Sequence, residues 1–191
     1  MRGRSSRLVG LVAVGSVAAL IPIAALAGLR INTSPSLPRG LYRQVAIRGG
    51  LRRGDLVLAC PPEPAARLAR SRGYLPPGPC PGGVEPVGKT ILATSGERIE
   101  VRTEGIVRDG VLVPRSRPLL RDALGRPLPN LIGQHFDLAR GRFWLFAGRH
   151  PRSFDSRVFG PVPGAAVLGR LVPLWVETDA DFRMRNLGGS H

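Results

Sequence analysis

From Leu8 to Leu29 the chain runs 22 residues without a charge, directly after Arg2, Arg4 and Arg7. As a helix this run reaches about 33 Å at ~1.5 Å per residue, enough to cross a hydrocarbon core of ~30 Å. It therefore reads as a transmembrane anchor over residues 8–29, with Pro22 as a candidate kink. Residues 1–7 form a basic flank that stays in the cytoplasm, and the chain beyond Arg30 is exported. Ala25-Leu26-Ala27 also fits the small-residue pattern of a signal-peptide cleavage site. Cleavable apolar cores usually cover only ~7–15 residues, so a retained single-pass anchor in the inner membrane is the expectation. Both readings export the remainder.

Export decides how the two cysteines are read. In an oxidising compartment a disulfide persists, and Cys60 with Cys80 brackets a Pro/Gly-rich stretch whose closure is worth roughly 3 kcal/mol in the chain-entropy model. Two free thiols are the alternative. Neither cysteine has a His or Cys at metal-ligand spacing, and His135, His150 and His191 are scattered, so no metal and no cofactor is expected. The formal charge of +15 raises the question of nucleic acid. The arginines are spread along the chain, however, and aromatics make up only 5%, whereas base-stacking grooves interleave the two. Anionic lipid headgroups account for the charge better.

The exported part, residues 30–185, reads as mostly β. Short apolar runs at 56–59, 90–94, 98–101, 142–147 and 165–176 are separated by Gly and Pro. Two more, at 106–113, meet around Asp109-Gly110, a hairpin dipeptide. Pro61 to Gly83 is a first insertion with one short helix over 64–71, Leu112 to Asn130 is a second, and residues 186–191 form a flexible tail.

Of 28 basic residues, Lys89 is the only lysine. In a composition that uses Arg wherever charge suffices, a retained Lys points to deprotonation, which burial makes possible for an ammonium and not for a guanidinium. A solvated surface lysine is the bland alternative. Lys89 leads Thr90-Ile91-Leu92-Ala93-Thr94-Ser95-Gly96-Glu97-Arg98-Ile99, at the edge of a strand. Three further segments stand out. Asn32-Thr33-Ser34-Pro35-Ser36-Leu37-Pro38-Arg39-Gly40-Leu41-Tyr42 is hydroxyl-rich and proline-stiffened, and it places Ser36 no more than about 24 Å from the membrane boundary. Arg53-Gly54-Asp55 turns into an apolar strand. Ser153-Phe154-Asp155-Ser156-Arg157 is a dense polar cluster followed by Val158-Phe159-Gly160-Pro161-Val162.

In this order the four segments resemble the boxes of the signal peptidase I family, the S-x-D-S-R segment most specifically. The finer pattern is similar to the TraF-type peptidases of conjugative transfer systems, which mature pilin subunits: Asn32 to Tyr42 resembles their N-x-x-x-S-x-P-x-G-L-Y signature, and the Cys60 and Cys80 surroundings match their middle region. Thr90 and Ser95-Gly96-Glu97 depart from the usual lysine box, as does Gly148-Arg149-His150 from the G-D-N that often precedes the last box.

The resemblance implies a signal-peptidase-like antiparallel β domain preceded by one N-terminal transmembrane helix. It implies a serine endopeptidase in which Ser36 is the nucleophile and neutral Lys89 the general base. Ser36 N–H and the Ser34 hydroxyl would hold the oxyanion, Ser153 and Asp155 would orient Lys89 or its strand, and Arg157 would pair with Asp155. His150 in a Ser-His-Asp triad is the rival assignment. The implied substrate is an exported precursor, a conjugative pilin subunit ahead of the broad range of a general signal peptidase. An anchored, non-catalytic β domain that binds secretion components or nucleic acid is the reading from a different class.

Overall fold

A computed structural model describes residues 28–177. The basic flank 1–7, the expected anchor except for Gly28 and Leu29, and the tail lie outside the described residues. Among the described residues no helix is long and apolar enough to cross a membrane.

The fold is mostly β, and its strands pair antiparallel throughout. In chain order they are β1 (Leu29–Asn32), β2 (Gly40–Val45), β3 (Leu56–Ala59), β4 (Pro77–Cys80), β5 (Val87–Ala93), β6 (Arg98–Val101), β7 (Ile106–Arg108), β8 (Val111–Leu112), β9 (His135–Asp137), β10 (Arg142–Phe146), β11 (Val162–Pro163) and β12 (Val167–Val176). Two helices interrupt them, α1 (Glu63–Ser71) and the single turn α2 (Ser156–Phe159). A seven-stranded sheet runs β1-β2-β12-β3-β5-β10-β11, and a four-stranded sheet runs β8-β7-β6-β9.

Alternation of side chains builds the core. Val57, Ala59, Ile91 and Leu145 pack in one cluster of the large sheet. Trp144 and Phe146 of β10 join Ile99, Val101 and Ile106 in a second, which binds the small sheet to the large one. The hairpin expected around Asp109-Gly110 forms between β7 and β8, with φ of 47° and 82° at the two turn residues. Both values are positive, as a two-residue hairpin turn requires.

Cys60 and Cys80 are joined in a disulfide. The bridge packs with Ala66 of α1, Val84 and Leu75, so it fastens the first insertion to the end of β3. Replacing both cysteines with serine is expected to lower stability by about 3 kcal/mol, read as a shift in denaturant midpoint, because the loop of the unfolded chain is no longer closed. An unchanged midpoint would show that the bridge contributes nothing beyond its packing.

Candidate active site

The stretch between β1 and β2 is a tight loop held by two side chains. Asn32 pairs with Gly40 across the hairpin base, and its amide Nδ2 donates to the carbonyls of Ser34, Leu37 and Pro38 at 3.0–3.2 Å. Its Oδ1 accepts the Ser34 N–H and the Ser34 hydroxyl, at 3.2 and 2.9 Å. From below, the buried Tyr42 hydroxyl donates to the Pro38 carbonyl at 2.6 Å. Burial pushes that phenol up to about 12, with Arg149 pulling the other way, so it stays a donor. Asn32 and Tyr42 were both in the sequence signature without a role. The clue to Asn32 is its type and spacing, since an Asx side chain two residues before a hydroxyl residue is the pattern of a local turn.

The loop seats on the large sheet through Leu37, which packs with Tyr42, Leu58 and Leu171. A Cβ built on Gly88 would come within 2.8 Å of the Leu37 side chain. Gly88 thus makes the close approach possible, and it stands next to Lys89. Ser36 is half-buried, and its hydroxyl donates to the Ser153 hydroxyl at 3.3 Å. The Ser36 N–H has no hydrogen-bond partner among the described residues.

Lys89 sits inside β5 and not at its edge, which corrects the expected strand start at Thr90. The strand runs on through Gly88, where Leu37 fills the space a side chain would take. The two-residue period then places Lys89 on the same face as Val87, Ile91 and Ala93, all buried. Lys89 itself is only 4% exposed. Burial pushes its ammonium down to about 8; the Asp155 carboxylate opposes this in part, and Arg157 acts in the same sense as burial. The surface-lysine alternative is excluded.

The Ser153 to Arg157 segment meets Ser36 through Ser153, and its Asp155 and Arg157 act electrostatically on Lys89. Asp155 is fully buried and caps α2, accepting the Arg157 N–H, while its carboxylate takes both Nε and one terminal nitrogen of Arg157 at 2.9 Å. It also accepts the Ala147 N–H, and Ser156 accepts the Leu145 N–H, so the turn is tied to β10. Arg157 bonds the Arg117 carbonyl and lies 5.0 Å from the Phe146 ring centroid. With this ion pair almost wholly buried, Arg157→Met is expected to cost about 3–5 kcal/mol in urea unfolding, because the Asp155 carboxylate is left charged without a partner. A loss under about 1 kcal/mol would put the pair in the class of surface bridges.

Ser36, Lys89, Ser153 and Ser34 all line one cavity of about 740 Å³. His150 lines it too, but among the described residues its ring bonds neither Ser36 nor Asp155, and the Asp155 oxygens are taken by Arg157 and backbone. A Ser-His-Asp triad is not assembled. The cavity also borders a free stretch of sheet edge. Strand β10 pairs with β5 only from Thr90 onward. Ile91 exchanges its N–H and C=O with Asp55 and Gly54 on the β3 side, so the alternation turns the N–H and C=O of Gly88 toward the cavity.

Residues 5–175 match the family model described as signal peptidase, peptidase S26. The chain belongs to this family. Among similar proteins, a probable conjugal transfer protein TraF of Sinorhizobium fredii is 43% identical over 82% of this chain and 80% of its own length. A plasmid transfer protein TraF of Escherichia coli is 34% identical over 90% and 97%, and a conjugal transfer protein TraF of Agrobacterium fabrum 37% identical over 78% and 84%. A solved signal peptidase I of Enterococcus faecalis aligns with a TM-score of 0.36 at 21% identity, covering 65% of this chain and 98% of its own.

Membership of the peptidase S26 family supports a hydrolase of the serine-peptidase type. Within it, the departures in the lysine box leave the turn intact: the Glu97 carboxylate accepts the Thr94 N–H at 2.8 Å and pairs with Arg53, and Ser95 accepts the Gly141 N–H. Asp55 of the second box accepts the Arg52 N–H and pairs with Arg170, fixing β3 against β12.

Proposed function

We propose that this protein is a membrane-anchored serine endopeptidase with a Ser36-Lys89 dyad, processing an exported precursor on the outer side of the inner membrane. The observation that carries the reading is the buried Lys89, whose ammonium is pushed down to about 8, lining the same cavity as Ser36. A lysine so placed is neutral in roughly one molecule in ten at pH 7, a fraction that rises steeply toward pH 8, and the neutral amine accepts a proton.

The precursor adds as a strand along the free edge of β5, its backbone meeting the N–H and C=O of Gly88. Ser36 Oγ attacks the scissile carbonyl carbon and its proton passes to Lys89 Nζ, leaving a tetrahedral oxyanion. The free Ser36 N–H is one donor to that oxygen. The Ser34 hydroxyl is the second, once it turns from Asn32 Oδ1. Collapse breaks the C–N bond, and the leaving amine takes the proton from Lys89. Water then attacks the ester as Lys89 takes its proton, and collapse of the second tetrahedral intermediate breaks the C–Oγ bond while Lys89 hands that proton to Ser36 Oγ, restoring the hydroxyl and the neutral amine. The Ser153 hydroxyl holds Ser36 Oγ in one rotamer, and Asp155 with Arg157 keeps that turn in place.

The similarity to proteins named for conjugal and plasmid transfer supports a precursor from a transfer system, and a pilin subunit is the one that the resemblance of the Asn32 to Tyr42 segment implies. The test is covalent labelling of the full chain, in detergent, by a small serine-reactive phosphonate, with the adduct mapped by mass spectrometry. The expected adduct is on Ser36. Labelling elsewhere, or none, overturns the dyad.

A further inference from the structure

The cavity continues past the reactive pair to a wall that the two insertions build together. The second insertion closes on itself: the Leu128 N–H donates to the Leu120 carbonyl and the Asp122 N–H to the Arg126 carbonyl, both at 2.9 Å. Asp122 anchors this loop, its Oδ1 accepting the N–H groups of Leu124 and Arg126 and its Oδ2 the Arg126 Nε. The first insertion grips it there. The Tyr74 hydroxyl donates to Asp122 Oδ2 at 2.5 Å, and Arg72 donates to the Pro127 carbonyl at 2.7 Å. Burial pushes the Asp122 carboxyl up, but the bonds from Tyr74, Arg126 and Leu124 outweigh it and hold the group well below the usual carboxylate range. The contact is thus between an ionised acceptor and fixed donors, at the cavity's border, which Tyr74 and Asp122 both line.

Beside Asp122, whose side chain is held by these bonds, this wall turns a group of apolar and aromatic side chains toward the cavity. Tyr74, Leu119, Leu128 and Phe154 all line it, and each is only half-buried. The Tyr74 and Phe154 rings lie tilted with centroids 5.7 Å apart, and Phe154 follows Ser153, whose hydroxyl touches Ser36. A recess of apolar side chains beside a reactive hydroxyl, with its wall held in place, gains free energy when an apolar side chain displaces water from it.

We propose that Tyr74, Leu119, Leu128 and Phe154 form a subsite for one apolar side chain of the precursor, a few residues from the bond cleaved, with Asp122 and Arg72 as positioning residues that hold its wall. This rests on the peptidase reading and narrows its substrates. A charged side chain at that position would lose its hydration against the recess and be rejected.

The test uses the full chain in detergent and short, internally quenched, alanine-rich peptides in which Leu, Phe, Asp or Lys is moved one position at a time. One position should favour Leu and Phe over Asp in kcat/KM by about tenfold or more. Leu119→Lys should shift that same position toward Asp, a gain that unfolding cannot produce. Tyr74→Phe, which keeps the ring and loses the bond to Asp122, should weaken the apolar preference through KM more than kcat. Cleavage with no apolar preference at any position, or a preference that both variants leave unaltered, overturns the subsite. Fluorescence anisotropy of the same peptides on Ser36→Ala separates the two readings. Position-specific apolar binding without wild-type cleavage sinks the peptidase and leaves the subsite standing.

Discussion

Ser36→Ala is expected to abolish processing, a loss on the order of 10⁴-fold or more in kcat, because the proposed mechanism forms its acyl-enzyme on this hydroxyl and gives the Ser34 and Ser153 hydroxyls other roles. The fold should survive. The Ser36 side chain is half-buried and its one hydrogen bond is to Ser153 at 3.3 Å, so its removal should cost no more than about 1 kcal/mol. The loop around it is held by Asn32, Tyr42 and Leu37, none of which needs the Ser36 hydroxyl. Precursor cleavage and thermal unfolding of the same preparation check both halves. Near wild-type processing by a folded Ser36→Ala protein would place the chemistry on another residue.

The parts of the fold that were legible in the sequence are those where alternation and punctuation agree. Strands β3, β6 and β10, the β7–β8 hairpin and most of β12 were visible in this way, and helix α1 was placed within one residue of its start. Strand β1 was hidden because Leu29 to Asn32 follows directly on an apolar run, with no polar break to mark where a strand begins. Strand β4 was hidden by its two prolines; it exists because Pro77 and Cys80 bridge to Val84 in a short edge pairing that no local propensity announces.

At the site, the reactive residue types came from short motifs, and the structure gathers Ser36, Lys89 and Ser153 around one cavity. What the sequence did not reveal were contacts made across large separations. Tyr74 and Asp122 lie 48 residues apart, each in a stretch that read as loop. Neither has a pattern of its own, because their relation is set by how two insertions fold over the same sheet. Gly88 is a subtler case. Its meaning lies in Leu37, about fifty residues away, which fills the space a side chain would take.

Lys89 carries the second large effect. Lys89→Met removes the base while keeping an unbranched chain in the row of Val87, Ile91 and Ala93, so the protein should fold and processing should fall by orders of magnitude. Lys89→Arg should be as inactive, since guanidinium stays charged at any working pH and cannot take the Ser36 proton. In the wild type, kcat/KM should rise with pH to a plateau above about 8, as the ammonium loses its proton. Stability should move the same way. The folded pKa is depressed below the unfolded value near 10.5, so the unfolded chain binds more protons between about pH 8 and 10.5, and unfolding free energy rises with pH across that window. Below pH 8 the folded protein carries the full cost of a buried ammonium, on the order of 3 kcal/mol. Lys89→Met has no such group, so its unfolding midpoint at pH 7 should exceed that of the wild type, and the gap should close toward pH 10.5. The measurement is urea unfolding of both proteins across that range, beside the rate profile. A pH-independent kcat/KM between pH 6 and 9, with Lys89→Met still processing precursor, would mean that the buried lysine is a structural residue and the base lies elsewhere.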